Sequence, residues 1–251
     1  MQTIYAGGSV LTMERERPLV EAVLVTDGII TAVGTRAELE AMAPDAMYEE
    51  LDGGALLPGF IDGHSHLSAV GWQQLTVNAA PPPTGTCGSV DDLLTACRRA
   101  LAERPGEDES WLLGMGYDNA AYPDGRHPTR EALDTVSRTV PILITHVSGH
   151  LCVVNSRAME LLGYGGEDYT VPEGGVVEAS GLLKEQAFLS PEKQARIEGP
   201  SPERLIGAIG DASALYASYG ITTAQEGRAG KREFRLLNEA GRRGLLRTDA
   251  V

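Results

Sequence analysis

The chain predicts an α/β fold, and three features carry that expectation. Residues 201–251 read as helix, strand, helix, strand, the order that builds parallel sheets. Residues 1–58 read instead as short strands separated by turns, the pattern of a small sheet or sandwich. Between these regions Phe60-Ile61-Asp62-Gly63-His64-Ser65-His66 reads as a strand whose last residues turn polar.

The elements follow in order. Ile4 to Leu11 is the first candidate strand. Ala22–Thr26 and Ile29–Val33 flank Asp27-Gly28, a two-residue hairpin signal, because both turn positions need positive φ. Thr35 to Met42 predicts a short helix, with Thr35 as N-cap and Glu38 three residues on, the capping-box pattern. Ala55 to Leu57 resumes as strand before Pro58-Gly59. Residues 79–88 are a proline-rich loop. Ser89 caps a helix to about Glu103, with Leu93, Leu94, Cys97 and Leu101 at helical spacing. Trp111–Met115 and Pro141–Val147 read as strands, Thr129–Val136 and Asn155–Leu162 as helices. The glycine-rich stretch 165–181 predicts loops or a hairpin excursion. Ser201-Pro202 opens a long helix, Ser as N-cap and Pro at its first turn. Ile221–Glu226, Lys231–Arg242 and Leu245–Val251 complete the strand, helix, strand run.

Composition narrows the function. The 251 residues are 42% hydrophobic and 22% charged, with a formal net charge of −14. That charge disfavours nucleic acid, whose phosphates attract Lys and Arg, and anionic membranes. Cys87, Cys97 and Cys152 have no CxxC spacing, which argues against a disulfide framework or a thiolate zinc site. No apolar run approaches the roughly 20 residues that span a bilayer. No basic segment followed by an apolar core opens the chain, so the expectation is a cytoplasmic protein acting on a small molecule.

His64 and His66 carry the chemistry. Residues i and i+2 of a strand share a face, so two imidazoles stand side by side and can converge on one divalent ion. An isolated HxH is a weak signal, since two surface histidines produce it as readily. Its context supplies the weight. Leu-Leu-Pro-Gly-Phe-Ile-Asp-Gly-His-Ser-His-Leu (56–67) resembles the first-strand signature of the amidohydrolase superfamily, and Asp-Gly-Ile-Ile-Thr-Ala-Val-Gly (27–34) is similar to that family's N-terminal sandwich. Four further segments resemble its YtcJ-like, or amidohydrolase-3, branch: Gly-Met-Gly-Tyr-Asp (114–118), Ser-Gly-His-Leu-Cys-Val-Val-Asn-Ser-Arg-Ala-Met (148–159), Gly-Leu-Leu-Lys-Glu-Gln-Ala (181–187) and Gly-Ile-Thr-Thr-Ala (220–224). Tyr117 stands where the branch usually has Trp.

The resemblance implies the N-terminal part of a metal-dependent (β/α)₈ TIM barrel preceded by a small β-sandwich. The sandwich part is residues 1–58. Residues 59–251 supply the first barrel strands and helices, with an excursion at about 72–200. It further implies hydrolysis of C–N bonds of the amide, formamide, urea or cyclic imide type, through a water activated by one or two ions, Zn²⁺ foremost. The same resemblance calls for a bridging carboxylated Lys or Glu, two more histidines from later strands and an Asp on the last strand. The histidines at 127, 146 and 150 precede those strands, and no residue matches the last Asp. About three or four barrel strands are legible, against the eight that closure requires. The barrel is therefore expected to be incomplete in this chain, with the general base outside it. A second chain or a C-terminal continuation would complete it; failing that, the chain is a truncated form or a degenerate remnant. Assembly with further copies of itself is left open. The 251 residues alone are expected to be inactive and poorly soluble.

Further candidates stand beside structural alternatives. Glu226 ends a strand at the right face for a metal-bridging carboxylate, though its neighbour Gln225 leaves the facing open. His150 follows a strand and a Gly and is a candidate for binding substrate, or for hydrogen bonding within the excursion. Asp118 is a second such candidate, or a carboxylate that holds an imidazole, or a turn residue, since Asp-Asn is good turn chemistry. Trp72 either lines the pocket or packs. His146, inside an apolar run, reads as a packed core histidine, and Asn155 as a helix cap. Two rival functions remain. Gly63-His64-Ser65-His66-Leu67 nearly matches GxSxG, which would make Ser65 a nucleophile, but Leu67 replaces the last Gly and no strong helix is expected directly after it. A non-catalytic binding or assembly module is the second rival.

Overall fold

The computed structural model describes residues 1–104, 110–166 and 168–251. Two compact units result, Met1–Asp62 with Gly220–Thr223, and Gly63–Tyr219 with Ala224–Val251.

The first unit contains two small sheets. One has the order Ile29–Gly34, Ala22–Thr26, Gln2–Ala6, Met47–Glu50. The other has the order Leu19–Val20, Ser9–Leu11, Ala55–Leu56. The expected Ile4–Leu11 strand is thus two strands, interrupted at Gly7-Gly8. The Asp27-Gly28 hairpin forms as read: both residues adopt positive φ, 51° and 82°, which is the type I′ requirement. Thr35 caps the helix Arg36–Met42, its hydroxyl accepting from the Glu38 amide while the Glu38 carboxylate accepts from the Thr35 amide. Leu39 of that helix packs with Ile4, Ala6, Ala22 and Leu24.

The second unit holds a six-stranded mixed sheet built wholly from residues 77–185. Its order is Gly175–Val177, Leu182–Glu185, Leu151–Val154, Ile142–His146, Leu112–Tyr117, Val77–Asn78. The last three run parallel, and the others pair antiparallel. Two apolar clusters consolidate this region, one around Leu93, Leu133, Ile142 and Ile144, the other around Cys152, Val154, Leu162 and Leu183. The antiparallel strands at 151–154 and 182–185 were not expected; the run Leu-Cys-Val-Val is short, buried and without alternation, so its pattern does not separate strand from helix. All three cysteines are buried and free. Asn155 caps Ser156–Leu161 and does more besides. Its Oδ1 accepts from the amides of Ala158 and Ile142, both at 2.9 Å, and its Nδ2 donates to the carbonyls of Ser137 and Val140.

A third sheet positions the site. Its order is Phe60–Ser65, Ile221–Glu226, Asp249–Ala250, following the chain once the 77–185 sheet is set aside. Val251 bonds to both Ala224 and Glu226, the pattern of a parallel ladder. The helices Pro202–Ser218 and Lys231–Arg242 fall where they were expected. The helix Leu67–Gln74 was not expected and corrects one reading of the sequence: a helix does begin directly after His66. Its apolar residues are spread around the axis rather than along one stripe, which hides it from a periodicity reading. Leu67 is fully buried with Ile206, Ile209 and Ala212. Among the described residues no helix is long and apolar enough to cross a membrane.

Candidate metal centre

The strand Phe60–Ser65 delivers two imidazoles to its end. The rings of His64 and His66 lie 5.2 Å apart, edge to face at 80°. This is the side-by-side placement that i, i+2 spacing implies. Ser65, between them, donates its hydroxyl to the Gln225 carbonyl at 2.9 Å. A hydroxyl committed to a backbone carbonyl is not a raised, exposed nucleophile, so the serine reading loses its geometry even though a helix follows.

The neighbouring strand brings Glu226 to the same place. His66 and Glu226 form an isolated antiparallel bridge. The Glu226 side chain is only 5% exposed, and its Oε1 stands 3.7 Å from His66 Nδ1. Its Oε2 accepts the Ser68 amide at 2.7 Å, satisfying one of the unpaired donors in the first turn of the helix Leu67–Gln74. The facing left open by Gln225 is thereby resolved: the Glu226 carboxylate turns toward His66, and Gln225 contributes its carbonyl. Gly227 follows against the other histidine. Its amide donates to the Ser65 carbonyl at 2.7 Å. A Cβ there would lie 2.7 Å from His64 Cε1 and 3.0 Å from its Nδ1, so any side chain at 227 displaces the imidazole.

Trp72, His66 and Glu226 line one cleft of about 960 Å³. Trp72 packs its ring edge against Gly199, where a Cβ would be 2.8 Å away. The structure does not bring Asp118 or His150 to this cleft. Asp118 lines another, with Asn78 and Val147, and caps the turn Asn119–Ala121 by accepting the Ala120 amide at 3.0 Å. His150 faces Glu185, Nδ1 to Oε1 at 3.2 Å, both side chains largely exposed.

The remaining histidines form a second group. Tyr117 is fully buried, its hydroxyl 3.2 Å from His127 Nδ1 and its ring edge to face with both His127 and His146. Burial holds both imidazoles below the ordinary histidine range. At His127 the neighbouring His146 and Lys184 add to the effect and Glu178 opposes it; at His146 Asp118 opposes it. His146 is thus the packed histidine its apolar surroundings implied. His127 was missed, and only its distance from any apolar run in sequence explains why.

The residues present would supply part of a divalent ion's shell. Two imidazoles are the right donors, and the sheltered carboxylate behind His66 is the kind of group that orients metal-bound histidines. Among the described residues, however, no three or more His, Cys, Asp or Glu are grouped so as to hold a metal. A zinc site takes four ligands in all, three of them from protein when one position stays open. His64 and His66 therefore fit as two ligands of a larger set.

The profile of the amidohydrolase family matches residues 49–250, and that of the bacterial imidazolonepropionase-like composite domain matches residues 22–46. The chain is 33% identical to the N-substituted formamide deformylase of Arthrobacter pascens over 171 residues, 68% of this chain and 30% of that one. It is 30% identical to the protein YtcJ of Bacillus subtilis (strain 168) over 195 residues, 74% of this chain and 35% of that one. The chain thus spans about a third of the length of the curated relatives it matches. A solved structure from Pyrococcus horikoshii OT3, described as an uncharacterized metal-dependent hydrolase, shares the fold: the TM-score is 0.73 at 21% identity, over all of this chain and 48% of that one. With the family match running from residue 49 to residue 250, the chain belongs to the amidohydrolase family, in its YtcJ-like branch.

Proposed function

We propose that this chain carries the first two metal-binding residues, His64 and His66, of a metal-dependent hydrolase of C–N bonds. The observation that carries the reading is the convergence of both imidazoles, 5.2 Å apart, with the sheltered Glu226 carboxylate facing His66. When bound, the divalent ion, Zn²⁺ foremost, supplies Lewis acidity toward water and the substrate carbonyl. The chain's own residues set up that role. Glu226 Oε1 stands 3.7 Å from Nδ1 of His66, on the side from which a carboxylate orients a metal-bound imidazole. Gly227 keeps the space that His64 occupies. Trp72 walls the adjoining cleft, where an amide, formamide, urea or cyclic imide is held. The N-substituted formamide named for the Arthrobacter relative is the first substrate type to try.

The remaining ligands and the general base are assigned to a continuation of this chain or to a second chain. Two facts support that assignment: the chain spans about a third of its curated relatives, and Phe60 and Ile61, on the strand leading to the site, are 55% and 75% exposed. Apolar strand residues of that size are ordinarily covered. The competing reading, a non-catalytic module, rests on the absence of a three-donor group among the described residues. One experiment separates the two. The natural protein containing this chain is stripped with a chelator and assayed on N-substituted formamides, then reconstituted with Zn²⁺. Turnover lost on stripping and regained on reconstitution is expected. Turnover indifferent to the chelator, or no tight metal in the protein as isolated, would contradict the metal reading.

A further inference from the structure

The residue between the two histidines reaches the neighbouring strand on both sides of Glu226. Ser65 is half-buried. Its carbonyl accepts the Gly227 amide at 2.7 Å, and its hydroxyl donates to the Gln225 carbonyl at 2.9 Å. The first bond is backbone alone and is open to any residue at 65. The second needs a hydroxyl.

That second bond holds a peptide plane. The Gln225 carbonyl and the Glu226 amide belong to one planar unit. The Glu226 amide donates to the Val251 carbonyl at 2.8 Å. The plane is thus gripped at its oxygen by Ser65 and at its nitrogen by Val251, and its tilt sets the direction in which the Glu226 side chain leaves the backbone. A grip matters at this point because regular pairing is ending. The strand Phe60–Ser65 stops at Ser65, His66 keeps an isolated bridge to Glu226, and the helix Leu67–Gln74 starts with no side-chain cap from His66. Beyond the plane, the Glu226 carboxylate has one oxygen 3.7 Å from His66 Nδ1 and the other 2.7 Å from the Ser68 amide. Hydrogen bonds weaken steeply outside a narrow range of distance and angle, so a tilt of the plane reaches both contacts.

Resting on the metal reading above, we infer that Ser65 is a positioning residue of the centre: its hydroxyl fixes the Gln225–Glu226 peptide and so aims the carboxylate at His66 and Ser68. Ser65 touches neither metal nor substrate in this scheme and acts through Glu226.

The test compares wild type, S65A and S65T in the natural protein containing this chain, each also combined with E226Q. Exchange of the Ser68 amide hydrogen is followed in the metal-free protein, and Zn²⁺ affinity is then measured by competition with a chromophoric chelator. The Ser68 amide lies in the first turn of its helix, where no intrahelical acceptor is available, so its protection reports the Glu226 carboxylate. In S65A the Ser68 amide should exchange about tenfold faster. Zn²⁺ should bind S65A about tenfold more weakly, the scale of losing a group that orients a metal-bound imidazole. S65T keeps the hydroxyl and should stay close to wild type in both. In the E226Q background S65A should add little, because two side chains on one path are not additive. Unchanged exchange and affinity in S65A, a loss that S65T shares, or an equal S65A loss in both backgrounds would overturn the inference. The two readings fail separately. If the wild type holds no tight Zn²⁺ while Ser68 exchange still depends on Ser65, the grip on Glu226 stands and the metal reading fails. If Zn²⁺ binds tightly and S65A does not weaken it, the metal reading stands and the positioning role fails.

Discussion

Two pairs of histidines lie close together in this molecule, and they have opposite characters. His64 and His66 stand 5.2 Å apart at the end of one strand, with the His66 side chain 44% exposed and a carboxylate aimed at it. His127 and His146 stand 6.0 Å apart beside the buried Tyr117, with His146 only 14% exposed. Proximity of two imidazoles is common to both. What differs is dielectric and access: His66 of the first pair lines a cleft and faces a sheltered carboxylate, while burial drives the second pair toward its neutral form even though Asp118 lies 3.9 Å from His146 Nε2. A carboxylate within 4 Å is common to both pairs, so exposure, and not the carboxylate, marks the first as the metal candidate.

The largest expected effect separates the pairs by activity. In the natural protein containing this chain, His64→Ala or His66→Ala should lower amide turnover by about 10³-fold or more, the scale of losing a metal-activated water. His127→Ala should leave turnover within about tenfold of wild type, since its partner is a tyrosine packed in the excursion. A comparable collapse in both would erase the distinction.

Glu226 comes next. Glu226→Gln keeps an acceptor for the Ser68 amide but removes the charge facing His66, so metal affinity should weaken by about 10- to 100-fold. The ¹⁵N shifts of the His66 ring should move toward a mixed tautomer, a change that a merely structural role would not produce. Unchanged shifts and affinity would remove Glu226 from the centre.

Stability effects are smaller on the same scale of function. Asn155→Ala deletes four hydrogen bonds within the 77–185 region and leaves buried amides unpaired, for an expected loss of about 2–4 kcal/mol in chemical denaturation. Leu67→Ala should cost about 2–4 kcal/mol through the cavity left beside Ile206 and Ile209, and it loosens the helix that carries Ser68. Metal affinity should fall in Leu67→Ala and hold in Asn155→Ala, because only the former touches the elements of the centre.

The pH response is the smallest effect. The folded pKa values of His127 and His146 lie below the unfolded value of about 6.5. The unfolded chain then binds more protons in that window, so stability falls as pH drops through about 6.5 and is recovered above it. His127→Gln should flatten that slope in denaturation curves at pH 5.5 and 7.5; an unaltered slope would place the titration elsewhere.

Much of this was legible in residue order. Thr35 and Glu38 announced a capping box, Asp27-Gly28 a tight hairpin, and His64-x-His66 a shared strand face, because each depends on neighbours two or three positions away. The helix Leu67–Gln74 was not legible: its apolar residues Leu67, Ala69, Val70 and Trp72 fall around the axis and form no stripe. Nor could the turn of Glu226 toward His66 be read, since it is fixed by a residue 158 positions away, the amide of Ser68. Gly227 was missed for the same reason, its meaning lying in the His64 ring packed against it. Asp118 shows the converse: its turn chemistry was readable, and the structure uses it for a cap.

The most direct measurement is metal stoichiometry by plasma mass spectrometry on the natural protein containing this chain, in two double variants. H64A/H66A, with circular dichroism unchanged, should hold less than about a tenth of the wild-type metal, while H127A/H146A should hold the full amount. Metal retained in H64A/H66A, or lost equally in H127A/H146A, would contradict the assignment of His64 and His66 as ligands.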